Sequence, residues 1–176
     1  PGATYLDMPD EVIIGEIEED DVEHAPTVAE PPRGLAQPDS IEAALDALES
    51  AERPLVIVGK GMSWSRAEDE MRQFIERTQV PFLATPMGKG VVSDDHPLSV
   101  GAARSLALAE ADVVFLMGAR LNWILHFGLP PRFSKDVRIV QLDINAEEMS
   151  NNVQTEVALL GDGKAVAGQL NDALEK

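Results

Sequence analysis

DVVFLMGARLNWILHFGLPP, residues 112–131, decides the fold of this chain. The apolar run 113–117 is halted by Gly118, and Arg120, Asn122 and Trp123 follow before a Pro130-Pro131 stop. A short, continuously apolar run ended by glycine reads as a central strand of a parallel sheet, buried on both faces. Whatever follows such a strand lies at its carboxyl end, where open α/β sheets bind ligands. An Arg, an Asn and a Trp placed there exceed what a loop needs and mark a candidate site.

Outward from this strand, strand and helix patterns alternate. Ile41, Ala44, Leu45 and Leu48 recur at helical spacing and predict a helix over 40–50, with Asp39 and Glu42 as a capping box. Strands follow at 54–58 and 82–84, separated by a helix over 65–78 whose inward residues are Met71, Phe74 and Ile75. Residues 102–110 read as a helix, 138–143 as a strand, 146–149 as a turn or short helix, and 158–160 as a last strand. Gly161-Asp162 then opens a terminal helix striped by Val166, Leu170 and Leu174. This alternation predicts an α/β fold, a three-layer, doubly wound (Rossmann-like) parallel sheet covered on both faces.

Upstream, residues 7–37 mix acids with Pro9, Pro26, Pro31, Pro32 and Gly34, and predict an extended linker. Thr4-Tyr5-Leu6 reads as the end of a strand that begins further upstream. The division is therefore 1–6 as the end of a preceding domain, 7–37 as the acidic linker, and 38–176 as the α/β domain. The missing initial Met and the abrupt start predict an excised fragment.

The formal charge of −17 is unevenly spread: of 31 acids, ten fall in residues 1–32, which hold no Lys or Arg. Neither part offers the basic face that nucleic acid requires, so nucleic-acid binding is rejected. No apolar run approaches the roughly 20 residues of a membrane span, and the N-terminus lacks signal-peptide features. Cysteine is absent, which removes thiol catalysis, disulfides and cysteine metal sites. His24, His96 and His126 share no metal-like spacing, and no Ser/His/Asp or paired-carboxylate arrangement can be assembled. No catalytic or metal-ligating residue is predicted.

Four motifs remain, each with a plain alternative. Gly59-Lys60-Gly61 lies between a strand and a helix, where absent Cβ atoms let a phosphate approach the backbone and Lys60 adds a charge; otherwise it is a tight turn. The dinucleotide fingerprint is incomplete, because Trp64 stands where a third glycine belongs. Asp143, at a strand's carboxyl end, can accept hydrogen bonds from ribose hydroxyls, or cap the turn at Ala146. It lies much further than the usual ~20 residues beyond the glycines. Arg120 can stack on an adenine or fork onto a phosphate, or form a surface salt bridge; Arg104 is a weaker candidate of the same kind. Trp123, Ile124, Leu125 and Phe127 are expected to pack. Gly161-Asp162-Gly163 matches the opening of the thiamine-diphosphate metal motif, but the chain stops short of the downstream Asn, and Asp162 is expected to be a helix N-cap.

The runs PFLATPMGKGVVSDDHP (81–97), VGAARSLAL (100–108), GARLNWILHFGLPPRF (118–133), VQLDINAEEMSNNV (140–153) and ALLGD (158–162) together resemble one family. It is the thiamine-diphosphate-dependent 2-hydroxyacyl-CoA lyases, with the oxalyl-CoA decarboxylases as near relatives, and the likeness is to their central domain. PGATYLDMP resembles the end of the preceding pyrimidine-binding domain. The resemblance implies a six-stranded parallel sheet that holds ADP and faces the CoA part of an acyl-CoA substrate. Lys60, Arg120, Asp143 and Ile144 match ADP-contacting positions, Asp162 matches more weakly, and Arg104 falls where CoA or nucleotide contacts lie. Thiamine diphosphate, Mg²⁺ and catalysis would belong to flanking domains of a complete enzyme that cleaves 2-hydroxyacyl-CoA to an aldehyde and formyl-CoA. That enzyme would be a homo-oligomer, dimer or tetramer, cytoplasmic, or peroxisomal in a eukaryote. Ser63-Trp64-Ser65 departs from the small residues and tyrosine of the relatives. The HFGLPP continuation (126–131) favours the lyases over the decarboxylases. An FAD-binding domain of the acetohydroxyacid synthase type is the alternative, although Gly101-Ala-Ala-Arg104 departs from its Gly-Met-His-Gly segment. A vestigial nucleotide site is a further alternative.

Overall fold

The computed structural model describes residues 4–175. It divides into two units, residues 1–31 and 32–176. In the first, the described residues form only a four-residue helix α1 (Asp10–Ile13) and a 3-10 turn (Glu19–Asp21), both fully exposed. Its apolar residues, Val12, Ile13, Ile14 and Ile17 among them, stay exposed between the acids and prolines. Thr4 to Leu6 are not in a strand, and Tyr5 is 90% exposed; residues 1–3 of the expected domain end lie outside the described residues.

The second unit is built on a parallel sheet of five strands: β1 (Pro54–Val58), β2 (Phe82–Ala84), β3 (Val113–Met117), β4 (Arg138–Asp143) and β5 (Thr155–Leu160). Their spatial order is β2-β1-β3-β4-β5. The sixth strand implied by the family resemblance is reduced to one parallel bridge, Phe82 with Ser99, beyond β2. Five helices complete the unit: α2 (Pro38–Glu49), α3 (Lys60–Trp64), α4 (Glu68–Thr78), α5 (Arg104–Glu110) and α6 (Gly163–Ala173).

Strand alternation sorts the core into two layers. Val56, Val58, Phe115, Met117, Val140 and Leu159 face α2, α4 and α6, with Phe74 meeting Phe115 edge-on at 6.1 Å between ring centroids. Leu55, Ile57, Val114, Leu116 and Ile139 face the other way, onto Leu108 of α5 and onto Leu125 and Phe133. The run 113–117 is wholly buried, as expected of a central strand.

Three local expectations are corrected. The capping box at Asp39 does not form, because Pro38 itself starts α2 and Gln37, the N-cap, makes no side-chain cap bond. The helix expected over 65–78 begins only at Glu68, as α4; an unexpected short helix, α3, precedes it, opening within the Gly59-Lys60-Gly61 turn, and Arg66 between the two adopts φ +56°. β5 is longer than 158–160; its outward residues Glu156, Ala158 and Leu160 are exposed, which hid its first half from an apolar-run reading.

The chain passes from β1 to β2 on one side and then crosses to β3 on the other. The winding therefore reverses between β1 and β3, and the carboxyl ends of those two strands define the switch point where α/β sheets open a crevice.

Candidate functional site

The floor of that crevice is made of glycine. Val58 and Met117 end their strands in register, and the Gly59 amide donates to the Met117 carbonyl at 2.9 Å. The Gly61 amide donates to Gly118 at 3.0 Å. A Cβ on Gly59 would lie 2.1 Å from the Gly118 carbonyl oxygen, and one on Gly61 would lie 2.8 Å from the Gly118 Cα. Gly118 also has φ +60°. The missing Cβ atoms of the Gly59-Lys60-Gly61 turn thus admit the backbone of the next loop rather than a phosphate. That replaces the sequence-based reason for these glycines with a backbone crossing.

On this floor opens a cleft of about 170 Å³, lined among others by Lys60, Thr85, Met87, Arg120 and Asn122. Lys60 and Arg120, widely separated in sequence, are brought together because each follows directly on one of the two switch-point strands. The Thr85 turn closes the third side: the Thr85 amide donates to the Val58 carbonyl at 2.9 Å. Asn122 caps the following 3-10 turn (Trp123–Gly128) by accepting from the Ile124 amide at 3.0 Å. Within that turn, His126 and Phe127 both take positive φ. The packing role expected of Trp123 is overturned: it is 72% exposed, while Leu125 two residues on is buried and faces the core. Phe127 is likewise exposed.

Asp143 and Ile144 sit at the end of the neighbouring strand β4. Ile144 is exposed, and Asp143 is half-buried with its Oδ1 accepting from the Asn145 amide at 2.9 Å. The turn at Ala146 is capped by Asn145, which accepts from Glu147 at 3.1 Å; Asp143 supports that cap from one step behind. Arg120 donates to Glu148 Oε1 at 2.9 Å. That hydrogen bond, reinforced by charge attraction, holds the Arg120 guanidinium above its ordinary pKa. Burial, aided by repulsion from Glu148, pushes the Asp143 carboxyl upward, against the pull of the Asn145 amide and Arg120. Of these groups only Arg120 lines the cleft; Asp143 and Ile144 at the end of β4, and Glu148 just beyond it, do not.

The two weaker candidates are engaged elsewhere. Asp162 caps α6 by accepting from Ala165 at 3.1 Å, as expected, and pairs with Arg33 at 2.9 Å. Arg104 donates to the Ile124 carbonyl at 2.6 Å, holding the turn that carries Trp123. Neither lines the cleft. Sequence reading missed Glu148 and the Thr85 wall. Glu148 sits amid surface acids with no pattern to single it out, whereas the Thr-Pro-Met-Gly turn beginning at Thr85 was visible as a turn-rich loop directly after a strand.

Among the described residues no cluster of His, Asp or Glu is placed to hold a metal ion, and no helix is long and apolar enough to cross a membrane. Residues 41–170 match the family described as the thiamine pyrophosphate enzyme central domain. The chain is 49% identical to 2-hydroxyacyl-CoA lyase 1 of Mus musculus over 176 residues, covering 100% of this chain and 30% of that protein. It is 44% identical to oxalyl-CoA decarboxylase of Escherichia coli over 164 residues, covering 92% of this chain and 29% of that protein. The chain therefore spans under a third of the length of these curated relatives. The X-ray structure of an enzyme from Mycobacterium smegmatis described as thiamin diphosphate-dependent shares the fold, with a TM-score of 0.67 at 18% identity. That likeness covers 86% of this chain and 30% of that one.

Proposed function

The chain belongs to the thiamine pyrophosphate enzyme central-domain family, and from that premise we propose that its switch-point cleft binds ADP within a 2-hydroxyacyl-CoA lyase. Lys60 and Arg120 would take the diphosphate, and Asp143 would accept from the ribose hydroxyls while keeping its bond to Asn145. Ile144, exposed beside Asp143, offers an apolar edge to the adenine. The observation that carries this reading is the convergence of Lys60 and Arg120 on the reversal between β1 and β3, with an acid at the end of the adjacent strand. Cations suit a diphosphate, and an acid at a strand terminus suits a ribose. Asp162 and Arg104 are proposed as peripheral contacts only, since their side chains already serve the fold.

For the whole protein, the relatives support cleavage of a 2-hydroxyacyl-CoA to an aldehyde and formyl-CoA, with oxalyl-CoA decarboxylation as the second reading. Thiamine diphosphate would supply the electron sink for the carbanion left by C–C cleavage. The residues of this chain do not fit that cofactor or its Mg²⁺: the one carboxylate in a suggestive motif, Asp162, is spent on Arg33 and the α6 amide. Both are therefore assigned to flanking domains, with cytoplasmic or peroxisomal residence and a homo-oligomeric assembly as part of the same reading. The contribution of this chain is to bind and orient, and no step of the chemistry passes through its residues.

Isothermal titration of the intact protein with ADP, CoA and FAD tests the reading. ADP is expected to bind saturably, and Arg120→Ala or Asp143→Ala to weaken it about tenfold or more, the worth of a hydrogen bond to a charged group. Saturable ADP binding that neither substitution disturbs would refute the site; FAD binding in place of ADP would favour the flavin alternative. Single-turnover cleavage with and without ADP should show altered substrate affinity and an unchanged chemical rate.

A further inference from the structure

Arg120 is the cleft's forked anion receptor, yet a carboxylate already occupies it. The pairing with Glu148 at 2.9 Å is no chance meeting of two mobile surface chains, because the turn that carries Glu148 is pinned by its surroundings. Gln141, buried in β4, donates from Nε2 to the Glu148 carbonyl at 3.0 Å. The Gln141 Oε1 accepts from Thr155 of β5 at 2.9 Å. Asn151 donates to the Glu147 carbonyl at 2.8 Å, and Asn145 caps the turn with its own amide held by Asp143. A buried glutamine with both ends satisfied on the site's own elements fixes where Glu148 can reach.

We propose that Glu148 is the specificity-determining residue of the cleft, an internal carboxylate that an incoming phosphate must displace from Arg120 and that disfavours ligands carrying further negative charge. The proposal rests on the nucleotide reading above and deepens it. A diphosphate gains Lys60 and Arg120 in exchange for one released carboxylate. A triphosphate brings one more negative group towards Glu148, whose carboxylate can leave Arg120 but whose backbone, held by Gln141, keeps it nearby. The cleft is thereby biased towards the less charged member of a nucleotide series.

The test is titration of the intact wild-type protein and Glu148→Gln with inorganic pyrophosphate, ADP and ATP, repeated in an Arg120→Ala background. Glutamine keeps the size and the backbone bond of Glu148, and an unchanged thermal midpoint verifies the fold. Glu148→Gln is expected to tighten pyrophosphate about tenfold and to raise the ATP-to-ADP affinity ratio about threefold, the scale of one charge acting over a few ångströms in a partly solvated site. In the Arg120→Ala background most of that gain should vanish. Equal affinities of wild type and Glu148→Gln for pyrophosphate and ATP would overturn the proposal, as would a gain undiminished without Arg120. Failure of the nucleotide reading is separately visible as ADP binding no tighter than pyrophosphate.

Discussion

The two ends of the sheet each carry an aspartate, and the two are perturbed in opposite directions. Asp112, just before β3, accepts from the backbone amides of Glu52 and Arg53, each at 2.8 Å. Partial burial pushes its carboxyl upward, but these amides prevail and hold it below its ordinary value. Asp143, at the carboxyl end of β4, has one such amide and a repelling Glu148, and burial carries it upward. At the amino end of the sheet Asp112 holds the turn before β1, and Arg138 of β4 pairs with Glu156 of β5. The carboxyl end keeps a carboxylate and a guanidinium under mutual constraint, above a floor whose backbone has no room to move. On the proposed reading, stability and binding are segregated along the strand direction, the division an open parallel sheet imposes.

The floor offers the severest way to break this contrast. Gly59→Ala should cost more than about 3 kcal/mol or prevent folding, since its Cβ would sit 2.1 Å from the Gly118 carbonyl oxygen. Gly168→Ala in α6 meets nothing within 4 Å, and should instead stabilise by roughly 0.5–1 kcal/mol, as expected for a helical glycine. Urea unfolding of the pair measures both. If Gly59→Ala unfolds like wild type, the backbone crossing is not what shapes the cleft.

At the amino end, Asp112→Ala removes two charge-assisted acceptors and should cost about 2 kcal/mol by chemical denaturation, with ligand affinity unchanged. A loss of affinity there would erase the segregation of roles. The smallest effect is the most telling, because it is one of sign. The stabilisation from Asp112, whose folded value is lowered, is present above its unfolded value and lost as pH falls through the folded one. Asp143 has a raised folded value, so its contribution is present below the unfolded value and lost as pH rises through the folded one. Thermal midpoints of Asp143→Asn relative to wild type should therefore climb as pH rises above the ordinary carboxylate value of about 4, whereas those of Asp112→Asn should fall as pH rises towards that value from below and stay level above it. Parallel profiles would mean that the two acids do the same work.

Much of this division was legible beforehand, and the failures share a cause. The buried strand 113–117, the ends of β1 and β4, and the N-cap at Asp162 follow from local periodicity and turn chemistry, which act within a few residues. The exposure of Trp123 was misread because an apolar residue beside a strand is ordinarily buried, and here Leu125, two residues on, takes the core position instead. Glu148 was missed because its meaning lies in Arg120, in the loop after a different strand. The capping box failed because α2 begins at Pro38, which makes Gln37 rather than Asp39 its N-cap.

By itself the sequence determined the class of fold, the order of its elements, the family resemblance and the strand ends at which Lys60, Arg120 and Asp143 stand, because hydrophobic period and glycine punctuation are local properties of the chain. Only the tertiary structure decided that the glycines of β1 and β3 cross each other, that Glu148 holds Arg120, and that Asp143 is pushed upward while Asp112 is pulled down. Each of these depends on which strands become neighbours, and that is settled by long-range packing of the sheet rather than by any one segment.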